Sequence, residues 1–301
     1  MAIKRIRYFI FLKDVMLLSV SAFGGPQAHI AMFIKVMVEK RGYLTEVDLI
    51  ELNALCQILP GPTSTQTITA IGFRIGGAKL AYLTLLVWMM PAVTIMTTAA
   101  ILINSYQTKN LSLEFTKFIQ PMAVGFISYG AFTIAKKVIN TKTAIILMIL
   151  SAVVTYFITT PAALPIVLVI AGSITAFKYK KHEIAVKEKV KIKWGNFTLW
   201  GLVLVAAALL GAFTQDRFVL LFENFYRNGS LIFGGGQVLI PFLNTEFVEF
   251  KGYLSSEEFL SGLAMVQTVP GPVFSVSSFV GALSVRDMGI GGQILGGFIA
   301  A

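Results

Sequence analysis

Sliding the sequence against itself by 210 residues brings Phe23–Gln66 over Phe233–Val276 without a gap, with fifteen identical positions. Matched apolar residues would follow from biased composition. Matched polar and special residues would not: Gly24, Gly25, Gln27, Glu39, Gly42, Gln57, Pro60, Gly61 and Pro62 meet Gly234, Gly235, Gln237, Glu249, Gly252, Gln267, Pro270, Gly271 and Pro272. The chain therefore folds as two related halves. Each half carries the same two backbone interruptions, a Phe-Gly-Gly-x-Gln break and a Gln-x-x-Pro-Gly-Pro break.

What surrounds the breaks sets the solvent. Charge-free runs at Val15–Ile34, Leu52–Phe73, Leu80–Ile103, Phe118–Ala135, Thr143–Phe177, Phe197–Phe213 and Phe259–Val285 approach or exceed the ~20 apolar residues of a spanning helix. Only 13% of the 301 residues are charged, about half the usual share of a soluble chain. The sequence predicts an all-α, polytopic integral membrane protein. The net charge of +10 then reads as basic cytoplasmic loops rather than a nucleic-acid surface. One cysteine, Cys56, excludes internal disulfides, and two histidines, His29 and His182, leave no metal-ligand cluster. No cleavable signal peptide is expected, because Lys13 and Asp14 interrupt the first apolar run.

Topology follows from the basic residues. If both broken segments of the first copy are re-entrant and the N-terminus is cytoplasmic, four crossings lead to the lysine-rich loop 178–193, and helix 197–213 then delivers the second copy inverted. This arrangement puts about three quarters of the Lys and Arg inside, as the positive-inside rule requires. Full crossing of the broken segments weakens that bias but leaves the second copy inverted. The expected fold is a helix bundle of two inverted-topology repeats with Gly/Pro-broken re-entrant helices, a recurrent transporter plan. The expected units are residues 1–177, a basic loop plus inverting helix at 178–217, and a second repeat at 218–301. Pairing Gly76–Gly77 with Gly291–Gly292 makes the second copy look cut short, so that either the natural chain is longer or this copy is truncated.

The chemistry concentrates at the Pro-Gly-Pro breaks. Proline disfavours helical geometry in the residue before it, and at a helix start its missing N–H costs nothing. The helix restarting after Pro62 offers the amides and hydroxyls of Thr63, Ser64 and Thr65, with the Gln66 amide behind them. A helix N-terminus carries about half a positive charge and unpaired donors, which together bind oxyanions. The alternative is a kinked helix whose hydroxyls cap its own backbone. The second copy keeps the break but offers only Ser275 of the three hydroxyls. Gly24, Gly25 and Gln27 form the companion break, with Gly235 and Gln237 opposite, and Gln57, Gly61, Gln267 and Gly271 complete the candidate substrate site. His29, replaced by Leu239 in the second copy, is a candidate proton carrier or a hydrogen-bonded packing residue. Glu39 and Glu249 could exchange protons or cap turns. Arg74 could attract anions or anchor at the interface, and the loop 178–193 could be a plain linker or bind anionic lipid.

Where FGGPQAHIA, LCQILPGPTSTQ, FGGGQVLIP and QTVPGP stand together, the sequence resembles the chromate transporter family in its two-domain, duplicated form, over roughly residues 15–77 and 225–292. The resemblance implies a multi-pass protein of the bacterial inner (plasma) membrane that confers chromate resistance by exporting chromate with the proton-motive force. It implies no enzyme activity and no cofactor; the partners are a chromate- or sulfate-like oxyanion and the lipid bilayer, with a homodimer left open. A sulfate carrier or a passive anion channel built on the same site is the alternative.

Overall fold

The computed structural model describes residues 2–108, 119–139, 141–158, 160, 163–177, 194–232 and 236–301. Among these there are helices and turns and no strand. The first copy opens with α1 (Ala2–Ser19), breaks at residues 20–24, and resumes as α2 (Gly25–Phe33), which widens into π-helical turns at Ile34–Lys40. A tight turn leads to α3 (Glu46–Ile58) and, past the Pro-Gly-Pro break, to α4 (Thr63–Thr108). Then follow α5 (Ile119–Val138), α6 (Lys142–Phe157), α7 (Ala163–Phe177) and α8 (Trp194–Thr214). The second copy repeats the opening as α9 (Arg217–Leu231), α10 (Gly236–Leu243) with π turns at Asn244–Phe250, α11 (Ser256–Thr268), α12 (Val276–Ser284) and α13 (Gly289–Ile299).

The repeat is legible in the backbone residue by residue. Both copies widen into π turns at the same register. Both then start the next helix with a reciprocal cap: Thr45 and Asp48 in the first copy, Ser255 and Glu258 in the second. Gly61 and Gly271 hold φ of 115° and 110°, a region in which a side chain is strained. Farther on, α4 breaks at Gly77 (φ 72°, ψ −167°), and Gly289 repeats that conformation (φ 71°, ψ −173°) between α12 and α13. Pairing Gly76–Gly77 with Gly291–Gly292 is thus corrected to Gly77 with Gly289. The second copy reaches its elbow two residues later, through 3-10 turns at Val273–Ser275 and Arg286–Met288.

The elbows are pinned alike. Arg74, three residues before Gly77, pairs with Asp48 at 2.6 Å, and Arg286, three before Gly289, pairs with Glu258 at 2.5 Å. Each acid is the one that caps the preceding helix. Hydrogen bonds from the Thr45 hydroxyl and amide, and then Arg74, hold the Asp48 carboxyl below its ordinary range. A second charged contact ties the turn after the π segment to the first helix of each copy. Arg41 and Tyr43 both donate to Asp14, at 2.7 and 2.8 Å, and burial followed by the Asp14 carboxylate pushes the Tyr43 phenol up to about 12. In the second copy the carboxylate has moved: Glu246, buried in the π turns, takes Arg227, Asn228 and Lys251.

Two apolar cores result. Phe11, Val15, Phe33, Leu49 and Ile68 fill the first, and Leu221, Phe247, Phe259, Leu263 and Phe279 the second. α4 belongs to both, giving Leu80 and Trp88 to the first and Met96, Ala100 and Ile103 to the second. α5 leaves its own copy and packs on α11, while α12 and α13 fold against each other. A Cβ on Gly281 would collide with Ala300 and the Gly296 carbonyl, the small-residue contact by which helices approach closely in lipid.

Among the described residues one helix, Thr63–Tyr106, is long and apolar enough to cross a bilayer, with the Gly77 break inside it. Val273–Ser284 and Arg286–Ile299 reach that length together across a 61° bend, and Lys142–Phe157, Ile166–Ala176 and Thr198–Thr214 are shorter apolar helices. α6 has no buried residue, and Ile146, Ile149, Leu150, Val153 and Phe157 stand exposed on it. Apolar surface of this extent suits lipid rather than water.

Candidate functional site

The breaks of the two copies meet in the middle of the molecule. The Gly61 amide donates to the Ile232 carbonyl at 2.7 Å, and the Gly271 amide donates to the Ala22 carbonyl at 2.8 Å. Gly61 and Gly271 are repeat partners, as are Ala22 and Ile232. Each Pro-Gly-Pro break therefore grips the residue just before the other copy's Phe-Gly-Gly motif. Reciprocal contacts of this kind are what a two-fold relation produces. The positive φ at both glycines turns each amide outward across the interface, and the space is tight. A Cβ on Gly61 would meet Gln66, and one on Gly271 would lie 3.0 Å from Ala92.

A small cavity of about 10 Å³ lies at this crossing, walled by Pro26, His29, Pro62, Thr63, Ser64, Pro272, Val273 and Phe274. It has room for about one water. Three helix starts face it, those of α2, α4 and the second-copy segment at Val273. Residues 60–62 are non-helical, and the Thr63, Ser64 and Thr65 amides have no backbone partner among the described residues. Donors and the positive ends of helix dipoles thus converge without a fixed charge.

The polar side chains are ordered by burial. His29 is 1% exposed and Ser64 4%, and Ser64 Oγ lies 3.0 Å from His29 Nδ1. His29 Nε2 lies 3.2 Å from the Ala22 carbonyl. A carbonyl only accepts, so Nε2 carries the proton and Nδ1 accepts from the Ser64 hydroxyl. The Ala22 carbonyl receives both the imidazole and the Gly271 amide, which joins the side-chain cluster to the contact between the copies. Trp88 stands edge-on to His29, with ring centroids 5.4 Å apart, and donates from Nε1 to Thr65 Oγ1 at 3.3 Å. Gln66 turns back, donating to the Pro60 carbonyl at 2.5 Å, and leaves its own buried oxygen unpaired.

The sequence-predicted residues therefore divide. Thr63, Ser64 and His29 wall the cavity, Gly61 and Gly271 join the copies beside it, and Thr65 and Gln66 sit one layer behind. Gly24 (φ 90°) and Gly25 (φ 74°) form the start of α2, with Gln27 on its first turn. Ser275 is buried with its hydroxyl unpaired. Gln57 is exposed at the end of α3, and Gln267 is half-buried in the corresponding place on α11. Glu39 is exposed, Glu249 accepts from Asn244 at an exposed position, and Arg74 is bound to Asp48 at the elbow. None of these last five lines the cavity. Gln237 is on the first turn of α10, whereas Gly235 and the basic loop 178–193 lie outside the described residues.

Two participants had no signal in the sequence. Ala22 acts through its carbonyl, which any residue would supply. Trp88 stands 59 positions after His29 in a run that reads as an ordinary apolar helix. The buried Glu246–Arg227 pair had a partial signal, because two charges stood close to apolar segments.

A sequence profile of the family described as Chromate transporter matches residues 10–177 and 219–301. The chain is 25% identical over 290 residues to an uncharacterised transporter of Methanocaldococcus jannaschii, covering 94% of this chain and 68% of that protein. It is 25% identical to the probable chromate transport protein of Synechococcus elongatus over 264 residues, covering 87% and 65%. It is also 25% identical to the chromate transport protein of Pseudomonas aeruginosa over 288 residues, covering 93% and 67%. The chain spans about two thirds of the length of these curated relatives. No solved structure matches it significantly.

Proposed function

The chain belongs to the chromate transporter family, a family of membrane proteins, and on that premise we propose that it is a secondary active transporter exporting chromate from the cytoplasm, driven by the proton-motive force. The observation that carries this reading is the crossing of the two copies at a small cavity faced by three helix starts and walled by Thr63, Ser64 and His29. Chromate is a tetrahedral dianion. It would take its hydrogen bonds from the first-turn amides and hydroxyls of α4 and from the start of α2 beneath Gly24, Gly25 and Gln27.

The cavity holds about one water, so the present conformation is a closed one, and a tetrahedral oxyanion enters only when the breaks separate. Rocking of one copy against the other about the Gly61–Ile232 and Gly271–Ala22 contacts would open the site to one side at a time. What supports an inverted relation between the copies is the reciprocity of those two contacts together with the distribution of Lys and Arg. The membrane potential, negative inside, favours anion export by about 2.3 kcal/mol per charge for each 100 mV.

Neutral donors recognise any tetrahedral dianion, which keeps sulfate as the alternative substrate. The test is chromate uptake into inverted membrane vesicles with and without an imposed proton-motive force, supplied chiefly as an interior-positive membrane potential. Saturable, gradient-dependent uptake that falls about tenfold or more in Ser64→Ala is the expected result. Gradient-independent, non-saturating flux would identify a passive channel instead.

A further inference from the structure

His29 and Ser64 form a pair whose polarity one proton reverses. In the described state the imidazole donates through Nε2 to the Ala22 carbonyl, and Nδ1 accepts from Ser64. The Ser64 hydroxyl proton is therefore directed at His29, and the oxygen offers the cavity only lone pairs, which repel an oxyanion. A proton taken up at Nδ1 would turn that nitrogen into a donor toward Ser64 Oγ. Ser64 then keeps its own proton but must aim it elsewhere, and the cavity lies on its open side. The same event leaves a unit positive charge on the imidazole, in the cavity wall.

We infer that His29 is the proton-coupling residue of the site, acting through Ser64, so that one proton and one oxyanion bind to the same state of the protein. The inference rests on the oxyanion site proposed above and deepens it. The groups around His29 leave it the sole titrating group there. Ala22 in the break after α1, Phe33 on α2, Ser64, Thr65 and Trp88 on α4, and Pro272, Val273 and Phe274 of the second copy are all uncharged. Among the described residues no acid or base faces the imidazole from these elements. The second copy cannot duplicate the device, because Leu239, Val273 and Phe274 stand where His29, Thr63 and Ser64 stand in the first. A dianion that travels with one proton still carries one negative charge outward, so the membrane potential drives export while the pH gradient opposes it.

Chromate binding to the purified full chain, measured by equilibrium dialysis with radiolabelled chromate between about pH 7.5 and 9, tests this in a range where the free imidazole is neutral. For the wild type, affinity should rise as pH falls, approaching tenfold per unit, as uptake of one proton on binding demands. His29→Gln, which keeps a donor for the Ala22 carbonyl but does not titrate, should bind more weakly and without pH dependence. Ser64→Ala should bind more weakly and lose most of the slope. A pH slope in His29→Gln equal to that of the wild type would overturn the coupling role while leaving the site intact. Saturable wild-type binding that Ser64→Ala does not weaken would overturn the site and the coupling together, as would absence of saturable binding to the wild type. If His29→Gln does not fold, imidazole nitrogen NMR in a His182→Gln background decides the matter: chromate must raise the His29 pKa, and an unmoved titration refutes the inference.

Discussion

The two copies share a backbone and divide the chemistry. Cap, π turns, Pro-Gly-Pro break and arginine-pinned elbow recur at matching positions. The cavity wall does not: His29, Thr63 and Ser64 face Leu239, Val273 and Phe274 in the sequence comparison. The charges have also been redistributed, from Asp14 on α1 to Glu246 in the second copy's π turns. Duplication thus preserved the shape that makes two broken helices cross, while the polar side chains at the crossing come mainly from one copy.

The sharpest way to strain this comparison is at the elbows. Arg286→Gln should destabilise the protein by about 3–5 kcal/mol, because it strands a buried Glu258 carboxylate. Arg74→Gln should cost about 1 kcal/mol or less, since its pair with Asp48 is more exposed. Thermal unfolding in detergent compares them, and equal losses would mean that the two elbows are equally buried in solution.

Next come the glycines that join the copies. Gly61→Ala and Gly271→Ala each place a side chain at a φ above 100°, and each should lose about 1–3 kcal/mol. If the contact is two-fold, the two losses should agree within about 1 kcal/mol; a silent Gly271→Ala would break the symmetry.

The functional asymmetry predicts unequal transport from matched truncations. Ser64→Ala should lower chromate affinity by about tenfold, the effect of roughly 1.4 kcal/mol of hydrogen bonding. Phe274→Ala should change it less than threefold, because that wall contributes shape and no donor. Vesicle uptake at several chromate concentrations separates them, and a larger loss in Phe274→Ala would assign the polar work to the wrong copy.

The smallest effect concerns acid. Asp48 has its folded-state pKa lowered, so its contribution to stability is present above the ordinary carboxylate range, near pH 4, and disappears as pH falls through the lowered value. Arg74→Gln should slightly reduce that loss, seen as a shallower decline of the melting temperature below about pH 4. An unchanged decline would show that the Thr45 cap alone holds the carboxylate.

Much of the fold was legible because its determinants are local. Proline has no donor, glycine alone tolerates the break conformation, and a Thr or Ser three residues before an acid starts a helix; each is visible in a single line of residues. The helix ends at Ile58 and Thr268, the restarts near Thr63 and Val273, and the 210-residue repeat all follow from such signals. The elbow equivalence did not, because two extra residues shift Gly289 off the 210-residue register, and its dihedral angles together with the paired Arg74 and Arg286 mark it as the partner of Gly77.

The sequence by itself determined that the chain is helical, apolar, duplicated and twice broken in each copy, and that hydroxyls crowd one break. Tertiary structure alone decided which of the candidates meet. Gln57 and Glu39 carry repeat-matched polar groups yet face outward, whereas Ala22, with no distinctive side chain, becomes the acceptor shared by His29 and the opposite copy's Gly271. The physical reason is that repeat identity reports the backbone each segment needs. Contact between segments far apart in the sequence depends on how the two copies dock, and a backbone carbonyl leaves no trace in the residue that carries it.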